Sequence, residues 1–411
     1  MSGKIRRNLD WPDYSSRTEA ATHRNPPPQL EPELSDNRES PLEYPPHGKR
    51  AHKPMTQSSQ SDQSAPFDFF TAAQKQRPLD ITGVENAILD FLVKGTDSDL
   101  RDLGLDKGIM KLVDTEEQAA ILEHVGGLEP EIEAGGSCAN VLRVASRFGT
   151  RSSYSSAVGP DLNGALFEKE LEKIGVVTRL AHVEGATGTS VILVTPDGER
   201  TMNTHLGVCR EYRREHLPLD DIRRSKIFFT TGYMWDSPNQ IDAIELALEV
   251  ARTAGCKLAL DLADPFAVNR SREILHRHLE EGLDVLFSNA EEARILTGLS
   301  SEEACREMAR TVDVAVVTDG PEGAFVGHKD ELIHIDAHNV SVVDTTGAGD
   351  CFAAGFLVGL VRQQPLRGCG ELATLLAADT IGHLGVKLSH DIEPRVEKLL
   401  ATHCTGRTSD L

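Results

Sequence analysis

The chain has 411 residues, 39% hydrophobic and 26% charged, a composition ordinary for a globular protein and unlike a membrane or fibrous one. Its 64 acidic and 43 basic side chains give a formal net charge of −21, a surface that repels phosphodiester backbones and so disfavours nucleic-acid partners, though not a single nucleotide held locally. No run approaches the ~20 apolar residues that cross a bilayer, no apolar run follows the basic N-terminal residues as in a secretory leader, and the seven cysteines are scattered without a Cys-x-x-Cys pair, as expected of reduced thiols in the cytoplasm.

In chain order, roughly the first 66 residues read as disordered, because they repeat at neither 2 nor 3.6 residues and so offer no face to bury. They hold ten of the 20 prolines, with Pro26, Pro27 and Pro28 in a row. Met55 opens the last polar stretch and is a candidate start. The extension is expected to run through residues 1–76 and one domain to fill residues 77–406. From Leu79 onward apolar runs alternate with amphipathic ones. Residues 79–89, 153–159, 190–195, 226–232, 257–262, 284–289 and 312–318 are predicted strands. Residues 139–148, 165–175, 239–255, 291–298, 349–363 and 371–385 are predicted helices. Such alternation implies parallel β-α-β units and a doubly wound α/β fold with a mostly parallel sheet. Segments 93–134 and 182–209 break the pattern. The second carries two strand-like runs around Pro196-Asp197-Gly198, a hairpin signal. Together the two segments are expected to form a small β-rich, antiparallel lid over the main sheet. No repeat of 20–50 residues is found.

The residues that carry chemistry sit at the ends of these elements. Asp90, in Asn86-Ala87-Ile88-Leu89-Asp90, closes the first strand, where a lone Asp ordinarily makes a turn. Gly135-Gly136-Ser137-Cys138-Ala139-Asn140 opens a helix. Paired glycines expose backbone N–H groups and Asn140 offers both donor and acceptor, although a plain turn has the same composition. Ser137 nearly matches the G-x-S-x-G nucleophile elbow, but the final glycine and a strand leading into the serine are absent. Asn289-Ala290-Glu291-Glu292 starts a helix after a strand, where the helix dipole alone favours Glu. Thr318-Asp319-Gly320-Pro321-Glu322-Gly323 ends another strand in a turn. Neither a Walker A sequence nor G-x-G-x-x-G occurs.

The sharpest string is Asp344-Thr345-Thr346-Gly347-Ala348-Gly349-Asp350, between an apolar run and a helix. Its glycines allow close backbone approach. The free N–H groups and positive dipole end of the new helix make an anion hole suited to a transferring phosphoryl group. Asp350 at the same helix mouth is placed to take the proton of an attacking hydroxyl.

These strings, in this order, resemble the signatures of the PfkB or ribokinase family of carbohydrate kinases, over a stretch from Leu79 to the C-terminal helices. The resemblance implies ATP with Mg²⁺ as phosphoryl donor, lying at the C-terminal ends of the strands. It implies Asp350 as catalytic base and Gly347, Ala348 and Gly349 as the anion hole. It places Asp90, Gly135, Gly136 and Asn140 at the acceptor hydroxyls, with Asn86 in reach. Thr318, Gly320 and Gly323 fall on the nucleotide, and Asn289 and Glu292 at the metal through water. Arg143 falls where it would face the transferred phosphate, or else is a solvated helix residue. Ala263-Asp264-Pro265-Phe266 and Phe287-Ser288-Asn289-Ala290-Glu291-Glu292-Ala293 are similar to stretches of adenosine kinases, implying a nucleoside acceptor. Against that, the Gly-Gly signature matches only in part and no aromatic pair stands out for stacking a purine. Phe148, Phe167, Tyr233 and Trp235 are the candidate walls. A kinase of a free sugar such as ribose or fructose, a silent binding protein of the same fold and a hydrolase built on Ser137 remain alternatives. Oligomeric state is left open.

Overall fold

The computed structural model describes residues 66–404; the expected disorder of the preceding residues and the candidate start at Met55 fall outside them. The described chain begins packed. Phe69 and Phe70 are buried, Phe67 meets the His328 ring edge-on with centroids 5.0 Å apart, and the Lys257 ammonium lies 4.7 Å from the Phe69 ring centre. Thr71 then caps the short helix Ala72–Lys75. The domain therefore starts about ten residues before the expected boundary at residue 77. Phe67, Phe69 and Phe70 find an apolar seat that their polar sequence neighbourhood conceals.

Fourteen strands follow: β1 Leu79–Val84, β2 Ile88–Lys94, β3 Met110–Leu112, β4 Glu131–Gly135, β5 Ser152–Val158, β6 Val177–His182, β7 Gly188–Val194, β8 Arg200–His205, β9 Ser225–Thr231, β10 Lys257–Asp261, β11 Val285–Asn289, β12 Val314–Thr318, β13 Ala324–His328 and β14 Glu331–Ile335. Nine form the main sheet in the order β14-β13-β12-β11-β10-β9-β1-β5-β6. Pairing is parallel from β6 across to β12 and antiparallel through β13 and β14. Strands β5 and β9 are buried along their whole length, as required where both sheet faces are covered. The mostly parallel α/β sheet read from the sequence is thus present. The helix Pro238–Thr253 shows why its segment folds as it does. Ser237 caps it in a reciprocal box with Gln240, Pro238 opens it, and Ile244, Ala247, Leu248 and Ala251 recur at helical spacing to enter the core beside Phe228, Leu258 and Leu260.

The lid is a second sheet, in the order β3-β8-β7-β2-β4. It begins earlier than residue 93, and its pairing is mixed rather than antiparallel as expected, because β2 and β3 each join a neighbour running the same way. β2 pairs antiparallel with β4 but parallel with β7, and β8 pairs antiparallel with β7 but parallel with β3. The single strand expected over residues 79–89 is in fact two: β1 belongs to the main sheet and β2 to the lid, joined by Glu85, Asn86 and Ala87. The unbroken apolar pattern hid this break. On the lid's outer face Val93, Val191 and Leu193 pack against Leu100, Val113, Ile121 and Val125, the last two from the helix Thr115–Val125. With the side-chain period of two, Ile192 and Leu92 face the other way and cluster with Val194, Met202 and Leu384. Among the described residues no helix is long and apolar enough to cross a membrane.

Candidate active site

Two helix starts and the β1–β2 bridge converge between the sheets. The helix Ser137–Arg147 is preceded by Gly136, whose φ of 88° suits glycine, and no side chain of its own segment caps it. The buried carboxyl of Glu85 does so instead, accepting from Cys138 N at 3.0 Å. A Cβ at Gly135 would collide with the carboxyl of Asp90, so the first glycine of the pair makes room for the acid on β2. The second helix, Ala348–Val361, starts at Gly347 in the left-handed region with φ 68°, where a Cβ would also strike Val386. The loop before it is held by Asp344. Its Oδ1 accepts from Thr346 N at 3.0 Å and its Oδ2 from Gly385 N at 2.7 Å, and it pairs with Arg200 of the lid. At the start of this helix Ala348 N donates to Thr345 O at 3.2 Å and Cys351 N to Gly347 O at 2.8 Å, and Gly347, Gly349 and Asp350 line the cavity there.

Asp350, in the first helical turn, accepts hydrogen bonds from Ser137 Oγ at 2.6 Å and from Asn140 Nδ2 at 2.8 Å. Asn140 Oδ1 in turn accepts from Arg143 Nη2 at 3.2 Å, and the same nitrogen donates to Val386 O at 3.1 Å. The structure thus ties Asn140, read as an acceptor-hydroxyl contact, to the carboxylate, and ties Arg143 into the network rather than leaving it solvated. Desolvation pushes the Asp350 carboxyl up from its ordinary value, while the donors Ser137 and Asn140 and the charge of Arg143 pull it back. Neighbouring acids are also raised, each mainly by burial. Glu85 is raised to about 8, Asp90 to about 7 with Glu133 adding to the effect and Arg200 opposing it, and Asp261 is raised with Glu292 as its next cause.

One cavity of about 400 Å³ runs past Asp90, Asn86, Gly136, Ser137, Asn140 and Asp350 to Asn289, Glu292 and Thr318. A second, of about 620 Å³, is lined by Gly320, Gly323 and Ala348 and by apolar side chains such as Val340, Val342 and Ile381. The two share Thr318, Thr345, Gly349 and Phe352, so the start of the Ala348–Val361 helix stands where they meet. The residues assigned to catalysis, the anion hole, the acceptor, the nucleotide and the metal all line one cavity or the other except Gly135, which backs Asp90, while Arg143 lines neither. Asn289 and Glu292 form a reciprocal helix cap, Asn289 N and Nδ2 donating to the carboxylate at 2.9 and 2.6 Å. Glu292 is nonetheless buried against the cavity, and burial holds it up at about 7. Of the candidate aromatic walls, Tyr233 lines the first cavity; Phe148, Phe167 and Trp235 are buried in the core and do not.

Sequence reasoning missed Glu85, Asp261 and Arg200. Asp261 had a signal, since it ends a buried strand beside β11 as Asn289 ends the next. Arg200 had none, because only the lid's fold brings it to Asp344. The lid wall was also missed: Ile88, Met110, Leu112, Ile192, Met202 and Leu206 line the first cavity.

The model of the pfkB family of carbohydrate kinases matches residues 108–392, more than half of the chain. An adenosine kinase from Sinorhizobium meliloti has a similar structure, with a TM-score of 0.73 and 33% identity over 78% of this chain and 99% of that one. A nucleoside kinase from Methanothermobacter thermautotrophicus is 32% identical over 59% of this chain and 77% of its own length. A ribokinase from Haemophilus influenzae is 25% identical over 65% of this chain and 87% of its own.

Proposed function

Since the chain belongs to the PfkB family of carbohydrate kinases and is therefore an ATP-dependent phosphotransferase, we propose that its acceptor is a nucleoside, phosphorylated on a sugar hydroxyl. The observation that carries this reading is the aliphatic wall of the lid. Six apolar side chains, from Ile88 to Leu206, face a cavity whose floor bears Asp90, Asn86 and Asp350. A nucleoside matches that asymmetry, with a flat apolar base at one end and a hydroxylated ring at the other. A free sugar carries hydroxyls on all sides; Ser190, Glu199, Arg200 and Thr204 also line this cavity, but hydroxyls turned to the six apolar side chains would lose water without gaining a partner.

In this reading Asp90 holds ring hydroxyls, backed by the Gly135-Gly136 turn, and Asp350 faces the hydroxyl that reacts. That oxygen attacks the γ-phosphorus of ATP, the bond from phosphorus to the β–γ bridging oxygen breaks, and the hydroxyl proton passes to Asp350. The N–H groups at the Gly347-Ala348-Gly349 helix start receive the charge on the moving group. Thr318, Gly320 and Gly323 flank the nucleotide, whose base fits the apolar second cavity. Mg²⁺ suits the adjoining acids. Glu292 and Asp261 are buried carboxyls lining the cavity, and a hard cation carried on the phosphates would supply positive charge there against both carboxylate and phosphate. Asn289 and Glu292 would hold it through water, since both are already engaged in the helix cap.

The test is ADP release from magnesium-ATP over a panel of nucleosides and free sugars. Adenosine is expected to exceed ribose and fructose at least tenfold in kcat/KM, the scale of one lost apolar contact set. Turnover of a free sugar with nucleosides ignored overturns the nucleoside reading and leaves the kinase standing.

A further inference from the structure

Asp350 is gripped on both carboxylate oxygens. Ser137 Oγ donates to one carboxylate oxygen at 2.6 Å and Asn140 Nδ2 to the other at 2.8 Å. The two donors lie three residues apart on one helix and reach a carboxylate in the first turn of another. The orientation of the Asn140 amide is forced. Arg143 Nη2 has only protons to give and bonds Asn140 Oδ1, so the NH₂ end must face Asp350. Arg143 is itself fixed by Val386 O. No histidine intervenes between Ser137 and Asp350, so the pair lacks the proton shuttle of a serine hydrolase.

We propose that Ser137 is a positioning residue, whose hydroxyl, acting with the Arg143–Asn140 relay, keeps the Asp350 carboxylate ionised and aimed at the acceptor hydroxyl. The inference rests on the reading of Asp350 as the base. Its physical basis is that a carboxylate in a dry cleft is favoured in its charged form by donors, one on each oxygen. The surroundings otherwise oppose that charge. Glu85, Asp90 and Asp261 are acids on three different strands or their ends, each interacting with Asp350. Cys138 and Tyr233 are held neutral by burial, and Arg143 is the cation that counts in its favour. Two neutral donors therefore supply what ion pairs supply elsewhere, and each carboxylate oxygen keeps a further lone pair for the acceptor hydroxyl.

The experiment compares Ser137→Ala and Ser137→Thr with the unaltered full-length enzyme across pH 5 to 9. Loss of one charge-assisted bond is expected to move the acid limb of kcat/KM upward by about one pH unit, so that activity falls about tenfold more below the limb than above it. Ser137→Thr, which keeps the hydroxyl, should restore the limb. A uniform loss at all pH values, or no loss, overturns the proposal, since a purely structural serine would leave the limb in place. The second readout needs no acceptor. The carboxyl carbon of Asp350, labelled with ¹³C and assigned by its absence in Asp350→Asn, should titrate about one unit higher in Ser137→Ala. An unshifted resonance overturns the clamp, whereas a shifted one with no nucleoside turned over leaves the clamp intact and removes only the acceptor reading.

Discussion

The two cavities that meet at the Ala348–Val361 helix are built on opposite chemical plans. The first collects Glu85, Asp90, Asp261, Glu292 and Asp350 around one volume, and every one of these carboxyls is pushed up by burial. The second is formed by the turn at Gly320 and Gly323 and by Val340, Val342, Ala377, Ala378 and Ile381, with no acid among its lining residues. The contrast teaches that one ligand is to be read by charged side chains and the other by shape and backbone. Substitutions on the first side should therefore act on charge state and chemistry, and leave the second side's ligand nearly untouched.

The sharpest way to break that division is at its boundary. Asp350→Asn keeps the shape and both hydrogen-bond partners, its oxygen accepting from Asn140 and its NH₂ donating to Ser137, but removes the proposed base. It is expected to fold normally, to bind ATP within a few-fold, and to lose at least ~10²-fold in kcat. Near-normal turnover at saturating substrates would end the assignment of the base. Asp90→Ala probes the acid side alone. The acceptor's KM should rise by about one to two powers of ten, the worth of roughly 1.5–3 kcal/mol for a hydrogen bond to a charged group, with the KM for ATP unchanged. An equal loss for both ligands would show that the two cavities are not independent.

The smallest expected effect concerns stability. Glu85 holds its proton to about 8 in the folded chain against an ordinary 4.5. Between these values the folded state binds a proton that the unfolded state has released, so stability falls as pH rises through the interval. Glu85→Gln keeps an oxygen for Cys138 N and has no proton to lose. Its melting temperature should match that of the unaltered protein near pH 5 and exceed it by a few degrees at pH 8 in the absence of ligands. A constant difference at both pH values would place the effect in packing rather than in charge.

The elements legible in the sequence were those whose signal is local. The string from Asp344 to Asp350 declared a turn, a helix start and a carboxylate within seven residues, and the structure puts all three at the junction of the cavities. The buried parallel strands declared themselves by apolar runs of the right length. Features made by distant residues were not legible. The partition of residues 79–94 between two sheets depends on what β2 pairs with, namely β4 and β7. The kinked helix Pro265–Glu281, irregular at Ser271, blurs its own period, and only its first residues attracted notice. Nor did anything in Gly-Gly-Ser-Cys-Ala-Asn announce a partner more than 200 residues away, which is where Ser137 and Asn140 find Asp350.

The lid is not a flap on one strap. The chain enters it through Glu85, Asn86 and Ala87, returns at Gly136, enters again before Gly188 and leaves at Leu206. Three of these four crossings, at Asn86, Gly136 and Leu206, border the first cavity itself. The register keeps both ends of the cavity near those crossings: Asp90 lies opposite Ser190, two residues past Gly188, and Leu112 lies opposite Thr204, two residues before Leu206. Any displacement of the lid would therefore move the cavity's own lining, and in the proposed reading a change of acceptor would be felt at the crossings rather than at a remote hinge.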